Sequence, residues 1–136
     1  MDDGKKIEQD MLSILKMDHI IFDKLSFFRK GFKNEDSEVE LRIKTGLHKI
    51  QDGKYQVMLN VLANKDDEYD AEVQVTGYCR IDENCGIKDE LLKKNAIAIL
   101  FPYVRAQFTL LTSQPETEPI VFPAVNINAI LENKKV

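Results

Sequence analysis

The chain has 136 residues, of which 43% are apolar and 31% are charged, and its formal net charge is −4. These values indicate a single globular domain with one core, and the acidic balance argues against a dedicated nucleic-acid-binding protein. The amino end lacks the apolar core of a signal peptide, and no apolar stretch approaches the roughly 18 residues that a membrane span needs. We therefore expect a cytoplasmic protein without membrane insertion, folded as one domain over residues 1–136 with mobile ends at residues 1–6 and 133–136.

Four segments in the first part of the chain carry the pattern of β-strands. Residues 20–28 are rich in β-branched and aromatic side chains, and residues 38–44 alternate between charged and apolar side chains. An Asp-Gly pair at residues 52–53 supplies a turn, after which the period of two resumes at residues 55–61 and again at residues 69–75. The pattern predicts a four-stranded antiparallel sheet with a meander.

The last third of the chain predicts helices. Apolar residues recur with helical spacing over residues 95–111, and Asp89 stands near the start, where negative charge suits the helix dipole. Pro102 lies inside this pattern and predicts either a kink or a break, of which we expect the kink. Residues 112–119 contain two prolines and no periodicity, which predicts a loop, and residues 125–133 are predicted to form a short closing helix.

Apolar side chains cover this helix on more than one side. Ile99, Tyr103 and Leu110 lie away from the main apolar stripe. A small sheet covers only one side of a helix, so the rest needs a second layer from this chain or from another copy of it. We favour another copy. The predicted oligomer interface comprises Ile97, Ile99, Leu100, Tyr103, Val104 and Phe108.

Candidates for catalysis or metal binding are weak. His19 and His48 stand in strand-like segments without a nucleophile in a recognisable motif. Cys79 and Cys85 have no neighbouring histidine, which predicts buried or half-buried free thiols rather than zinc ligands. The six glycines are scattered singly, unlike those of a phosphate-binding loop. We predict no enzyme activity, no metal and no cofactor.

Two motifs stand out in the last third. One spans residues 95–105 and contains Leu-Phe-Pro-Tyr at residues 100–103, and the other is Pro-Ala-Val-Asn-Ile-Asn-Ala at residues 123–129. Together they resemble the paired signature of the SecB family of protein-export chaperones. The four predicted strands also follow that family's order and approximate spacing. The resemblance implies an α+β fold in which a four-stranded antiparallel sheet is packed by a long helix and a short closing helix. It also implies a dimer of dimers that holds unfolded client chains without ATP.

The resemblance further implies a client-binding groove. The floor of this groove would lie on the second strand and its wall on the closing helix. A chaperone that binds many unfolded segments needs apolar surface on the outside of a stable assembly. The alternative is that each of the predicted groove positions holds an ordinary core residue. The groove residues implied by the resemblance are Val39, Leu41, Ile43, Val125, Ile127 and Ile130.

Family members also dock the basic, zinc-containing tail of the translocation motor SecA on acidic residues of the outer sheet face. At the matching first-strand positions this chain has Lys24 and Phe28, whereas Asp70 and Glu72 on the fourth strand keep part of a negative face. The resemblance therefore implies weakened SecA binding. Some relatives of the family act instead on the antitoxin of a toxin–antitoxin pair, which is one alternative. An alternative of another class is a small ligand-binding domain or enzyme with an unrecognised site.

Overall fold

The computed structural model describes residues 14–33 and 37–122, together with Ile127 and Leu131. The strands of the sheet are β1 (Leu15–Arg29), β2 (Val39–Gln51), β3 (Lys54–Lys65) and β4 (Tyr69–Ile81). They form one antiparallel sheet in the order β1-β4-β3-β2, so that β2, β3 and β4 are a meander and β1 pairs with β4. The predicted four-stranded antiparallel sheet is confirmed.

All four strands are longer than their sequence pattern predicts. β1 begins at Leu15, β2 continues to Gln51, β3 to Lys65 and β4 to Ile81. The turn that follows β2 is the predicted one at Asp52 and Gly53, where Gly53 has a φ of +79°. Glycine reaches this left-handed region without the steric cost that a Cβ brings, so the Asp-Gly pair suits a tight connection between β2 and β3.

The helical region after β4 is continuous. It starts with a short helical turn, Lys88–Glu90, widens into a π-helical segment, Leu91–Asn95, and then forms the long helix, Ala96–Thr112. The long helix runs through Pro102 without interruption. The predicted helix at residues 95–111 is therefore confirmed, and of the two alternatives at the proline the structure excludes the break.

Alternation along the strands gives the sheet two different faces. The helix-side face packs mainly against the long helix through β4, β1 and β3. Its central side chains are each no more than 1% exposed: Val57, Leu59, Val61, Val73 and Val75. Burial of each such side chain stabilises the fold by roughly 1.5–3 kcal/mol. Gly77 leaves room for its neighbours on this face, because a Cβ there would lie 2.5 Å from the sulfur of Met17 and 3.1 Å from a methyl of Leu100.

The segment after the long helix folds back along it. Thr112 is buried and accepts a hydrogen bond from the backbone N–H of Ile120 at 2.8 Å. Thr109 donates its hydroxyl to the carbonyl of the same Ile120 at 2.9 Å. The ring of Phe122 then packs edge-on against the ring of Phe108, with 5.5 Å between centroids. These contacts direct the chain back over the core toward the predicted closing helix.

The closing helix was predicted at residues 125–133. Ile127 and Leu131 are both helical, which agrees with that prediction at these two positions. Ile127 is only 2% exposed, and Leu131 packs against the same core. The other residues of the segment lie outside the described residues, as do the ends at residues 1–6 and 133–136 that we expect to be mobile.

Candidate client-binding groove and docking surfaces

The predicted floor of the groove lies on β2, at the edge of the sheet. Val39, Leu41 and Ile43 pair with Lys65, Ala63 and Val61 of β3, which places all three on the helix-side face. They are half-buried and pack against the border of the core. The long helix packs mainly over the other three strands. Val39, Leu41 and Ile43 therefore form an apolar strip beside the helix, and we call them the β2 strip.

The predicted wall of the groove is described at one position only. Ile127 belongs to the same apolar core against which the β2 strip packs. Its side chain is only 2% exposed, so Ile127 has the environment of a core residue. This agrees with the alternative to a groove residue that the sequence leaves open at this position. Val125 and Ile130, the other two predicted wall residues, lie outside the described residues.

A polar concavity of about 220 Å³ opens at the Val39 end of the β2 strip. The guanidinium of Arg29 lies over the ring of Tyr69, 5.7 Å from its centroid, and donates a hydrogen bond to the hydroxyl of Thr117. Lys65 pairs with the carboxylate of Glu68 at 2.6 Å. Burial raises the pKa of Tyr69. The sequence does not predict this cluster, because its members come from β1, β3, β4 and the loop after the long helix.

The residues of the predicted oligomer interface fall into two groups, those that pack on the sheet and those that are exposed. Four of its residues are no more than 1% exposed and lie in the core of this protomer: Ile97, Leu100, Val104 and Phe108. Ile99 and Tyr103 are 40% and 45% exposed, and Leu110, further along the helix, is 66% exposed. The prediction is corrected accordingly, because side chains that pack on their own sheet cannot form a surface for a second copy. The exposed face of the helix consists of Ile99, Tyr103, Leu110 and their neighbours.

The predicted docking residues for SecA all lie on the outer face, where cross-strand pairs join Lys24 to Gln74 and Phe28 to Asp70. Lys24 Nζ lies 2.9 Å from a carboxylate oxygen of Glu72. A hydrogen bond from Asn60 and the ion pair with Lys24 together lower the pKa of Glu72.

Asp70, the second acidic residue of this surface, is also engaged. It accepts a hydrogen bond from Asn64 and lies 3.2 Å from Lys30 Nζ, and both contacts lower its pKa. Phe28 beside it is 67% exposed. The two carboxylates are therefore ionised, yet each has a lysine of the same chain as its partner.

The cysteines are free thiols, as predicted. Cys79 is buried and Cys85 is half-buried. Burial raises the pKa of Cys79 to about 11. In the part of the chain that the structure describes, no three His, Cys, Asp or Glu side chains converge as metal ligands would. None of the described helices has the length and apolar character to cross a bilayer.

Comparison with known proteins agrees with the geometry. The family model described as preprotein translocase subunit SecB matches residues 16–136. The protein-export protein SecB of Neisseria meningitidis serogroup B is 32% identical over 107 residues, which cover 74% of this chain and 72% of that protein. An uncharacterised protein of Methanocaldococcus jannaschii is 22% identical over 129 residues, covering 88% of this chain and 83% of that one.

A solved structure shares the fold. The Mycobacterium tuberculosis SecB-like chaperone Rv1957, in complex with a ChAD peptide from the HigA1 antitoxin, matches with a TM-score of 0.67 and 10% sequence identity. The match covers 90% of this chain and 96% of that one. Together with the family model and the Neisseria relatives, it leads to one conclusion: this chain belongs to the SecB family of chaperones.

Proposed function

We propose that the protein holds unfolded polypeptides on the β2 strip and adjoining surface without using ATP. The observation that carries this proposal is the position of Val39, Leu41 and Ile43, which are apolar yet only half-buried at the edge of the sheet. Apolar burial stabilises a complex by roughly 25 cal/mol per Å². A client that covers a few hundred Å² would gain several kcal/mol before the cost of ordering the two chains is subtracted.

Assembly is part of the proposed function. Ile99, Tyr103 and Leu110 leave an apolar face on the side of the long helix that points away from its own sheet. Monomeric proteins rarely expose a contiguous apolar patch above roughly 300–600 Å². We infer that a second copy of the chain covers this face, as in the dimer of dimers that the family resemblance implies. This oligomer would act in the cytoplasm.

Preproteins awaiting export are the clients that we favour, since the Neisseria relatives carry the name protein-export protein SecB. The lysines that pair with Glu72 and Asp70 offset the negative charge of these two residues on the outer face. We therefore propose that SecA binding is weakened. The second candidate client is an antitoxin, which the antitoxin peptide bound to Rv1957 favours.

The test of the holdase function is suppression of aggregation of a reduced, unfolded client in the absence of nucleotide. One side chain contributes too little to a broad surface, so Leu41 and Ile43 should both be changed to serine. We expect this pair to lose most of the suppression. The matched control is Ile21→Ser with Phe28→Ser, two exposed apolar residues on the outer face. Full suppression by a folded Leu41→Ser, Ile43→Ser protein would contradict the proposal.

A further inference from the structure

We propose that the β2–β3 half of the outer face is a second docking surface, and that its partner is an acidic, extended peptide segment with an apolar side chain. This surface lies on the side of the sheet opposite the β2 strip, so it goes beyond the proposed client groove. We call it the basic half-face. It is formed by Arg42, Lys44 and Gly46 of β2 and by Met58 and Leu62 of β3.

The strand register brings these five residues together. Arg42 pairs with Leu62 and Gly46 pairs with Met58, while Lys44 lies between them opposite Asn60. Paired residues lie on the same face of the sheet, and adjacent strands are about 4.8 Å apart. The two cations, about 7 Å apart along β2, therefore border one shallow surface whose floor contains two apolar side chains.

The charges of this half differ from those of the β1–β4 half. On β1 and β4, Lys24 is paired with Glu72 at 2.9 Å and Arg80 with Asp18 at 2.6 Å. Arg42 and Lys44 are exposed, and no ion pair within 4 Å joins either of them to a residue in the described ranges.

Nearby acids do not cancel these two charges. Lys44 helps to lower the pKa of Glu72, but that carboxylate already has Lys24 as its partner. Glu40, two residues before Arg42, is the acidic residue on the same face of β2. Two cations against one acid leave a local positive charge on a chain whose net charge is −4. Carboxylates of a partner complement that charge.

The apolar part of the surface lies beside Gly46. A Cβ at this position would lie 3.3 Å from the terminal methyl of Met58, so the Met58 side chain reaches over the glycine toward β2. Met58 and Leu62 are both half-buried. Methionine adapts its shape to a neighbouring apolar group, which suits a site that receives one apolar side chain of a peptide.

An acidic peptide fits these features better than a nucleic acid does. Binding of nucleic acids relies on extended basic stripes or on aromatic side chains that stack with bases, whereas this floor is aliphatic. A short segment in which acidic and apolar side chains alternate can pair with Arg42 and Lys44 and also contact the apolar floor of the surface.

The test is a titration with a fluorescent peptide of about ten residues in which glutamate alternates with leucine. We expect binding that weakens with salt, and a loss of at least about tenfold in affinity in the Arg42→Glu, Lys44→Glu protein. The matched control is Lys93→Glu with Lys94→Glu, which changes the charge equally at exposed positions before the long helix. Gly46→Val should weaken binding without changing its salt dependence, since it displaces the Met58 side chain and leaves Arg42 and Lys44 in place.

The same peptide separates this surface from the client groove. Leu41→Ser with Ile43→Ser should keep the binding of the acidic peptide, and Arg42→Glu with Lys44→Glu should keep the suppression of aggregation. Equal binding of a peptide with lysine in place of glutamate would overturn the proposal. So would loss of binding in the Leu41→Ser, Ile43→Ser protein, or displacement of the peptide by oligouridine RNA at similar concentration.

Discussion

Lys24 of β1 and Glu72 of β4 form an ion pair of 2.9 Å across the outer face of the sheet. Asn60 of β3 donates a further hydrogen bond to the same carboxylate at 2.8 Å. Glu72 is therefore ionised, but its charge is shared with partners of its own chain. A basic peptide that docks here has to compete with Lys24, so the pair offers a physical reason for the weakened motor binding that we propose.

Replacement of Lys24 should restore docking of a basic peptide. In Lys24→Glu the competing cation is removed and a second carboxylate is added beside Glu72, so the negative potential that steers a basic ligand increases. We expect weak or absent binding of the SecA tail peptide to the wild-type protein and clear, salt-sensitive binding to the variant. The measurement is a titration at low and high salt, with Lys93→Glu as the charge-matched control. Tight wild-type binding that is lost in Glu72→Lys would contradict the expectation.

A charge on the exposed face of the long helix should dissociate the oligomer. Tyr103 is 45% exposed while its neighbour Val104 is fully buried, so Tyr103→Asp alters the outward face without entering the core. We expect light scattering to report a higher mass for the wild-type protein than for the variant, with unchanged helical circular dichroism. Lys93→Glu serves again as the control. A wild-type protein that is monomeric in dilute buffer would contradict the proposed interface.

The sequence predicts the regular parts of β2, β3 and β4 because side chains there alternate between a face turned to the core and a face turned to solvent. The start of β1 is missed for a physical reason. Its register shifts between Met17 and His19 and again between Phe22 and Lys24, so an extra residue interrupts the period of two at each point. β2 extends beyond its pattern because pairing with β3 continues through Gly46, a residue that weakens a strand by itself.

The surfaces are less predictable than the strands. Periodicity places Ile97 and Ile99 on different sides of the helix but does not show which side packs on the sheet, so the predicted interface included buried residues. Pairing of Lys24 with Glu72 depends on the contact between β1 and β4, which are far apart in the chain. Local patterns carry no information on such a contact.

A methyl group at Gly31 should destabilise the fold. A Cβ at this position would lie 2.5 Å from the backbone carbonyl oxygen of Asp67, in the turn between β3 and β4. Since backbone cannot rotate away as a side chain can, we expect Gly31→Ala to lower the free energy of unfolding by about 1–3 kcal/mol. Gly86→Ala is the matched control, because a Cβ there meets nothing within 4 Å. Equal urea midpoints for the two variants would contradict the close approach.

Glu83 should make the stability of the protein sensitive to acid. Its carboxylate accepts hydrogen bonds from Lys88 Nζ at 2.8 Å, from the hydroxyl of Tyr55 and from the backbone N–H of Gly53 at 2.9 Å. These contacts, led by Lys88, hold the pKa of Glu83 far below its usual 4.5. They join the turn between β2 and β3 to the segment that enters the helical region, so protonation of one group loosens two parts of the fold.

The sign of the effect follows from linkage. The folded state holds a proton on Glu83 less tightly than the unfolded state does, so the stabilisation is complete above the unfolded pKa near 4.5 and is lost as the pH falls toward the folded value. We expect the free energy of unfolding, measured in urea at a series of pH values, to fall below about pH 5. In Glu83→Gln this fall should be smaller but not absent, because lysines and other donors also lower the pKa of Asp70 and Glu72. The control is Glu90→Gln, at an exposed carboxylate in the short helical turn. The expectation is contradicted if the stability of Glu83→Gln depends on pH as that of the wild-type protein does, while Glu90→Gln shows a reduced dependence. The acid sensitivity would then arise from a group other than Glu83.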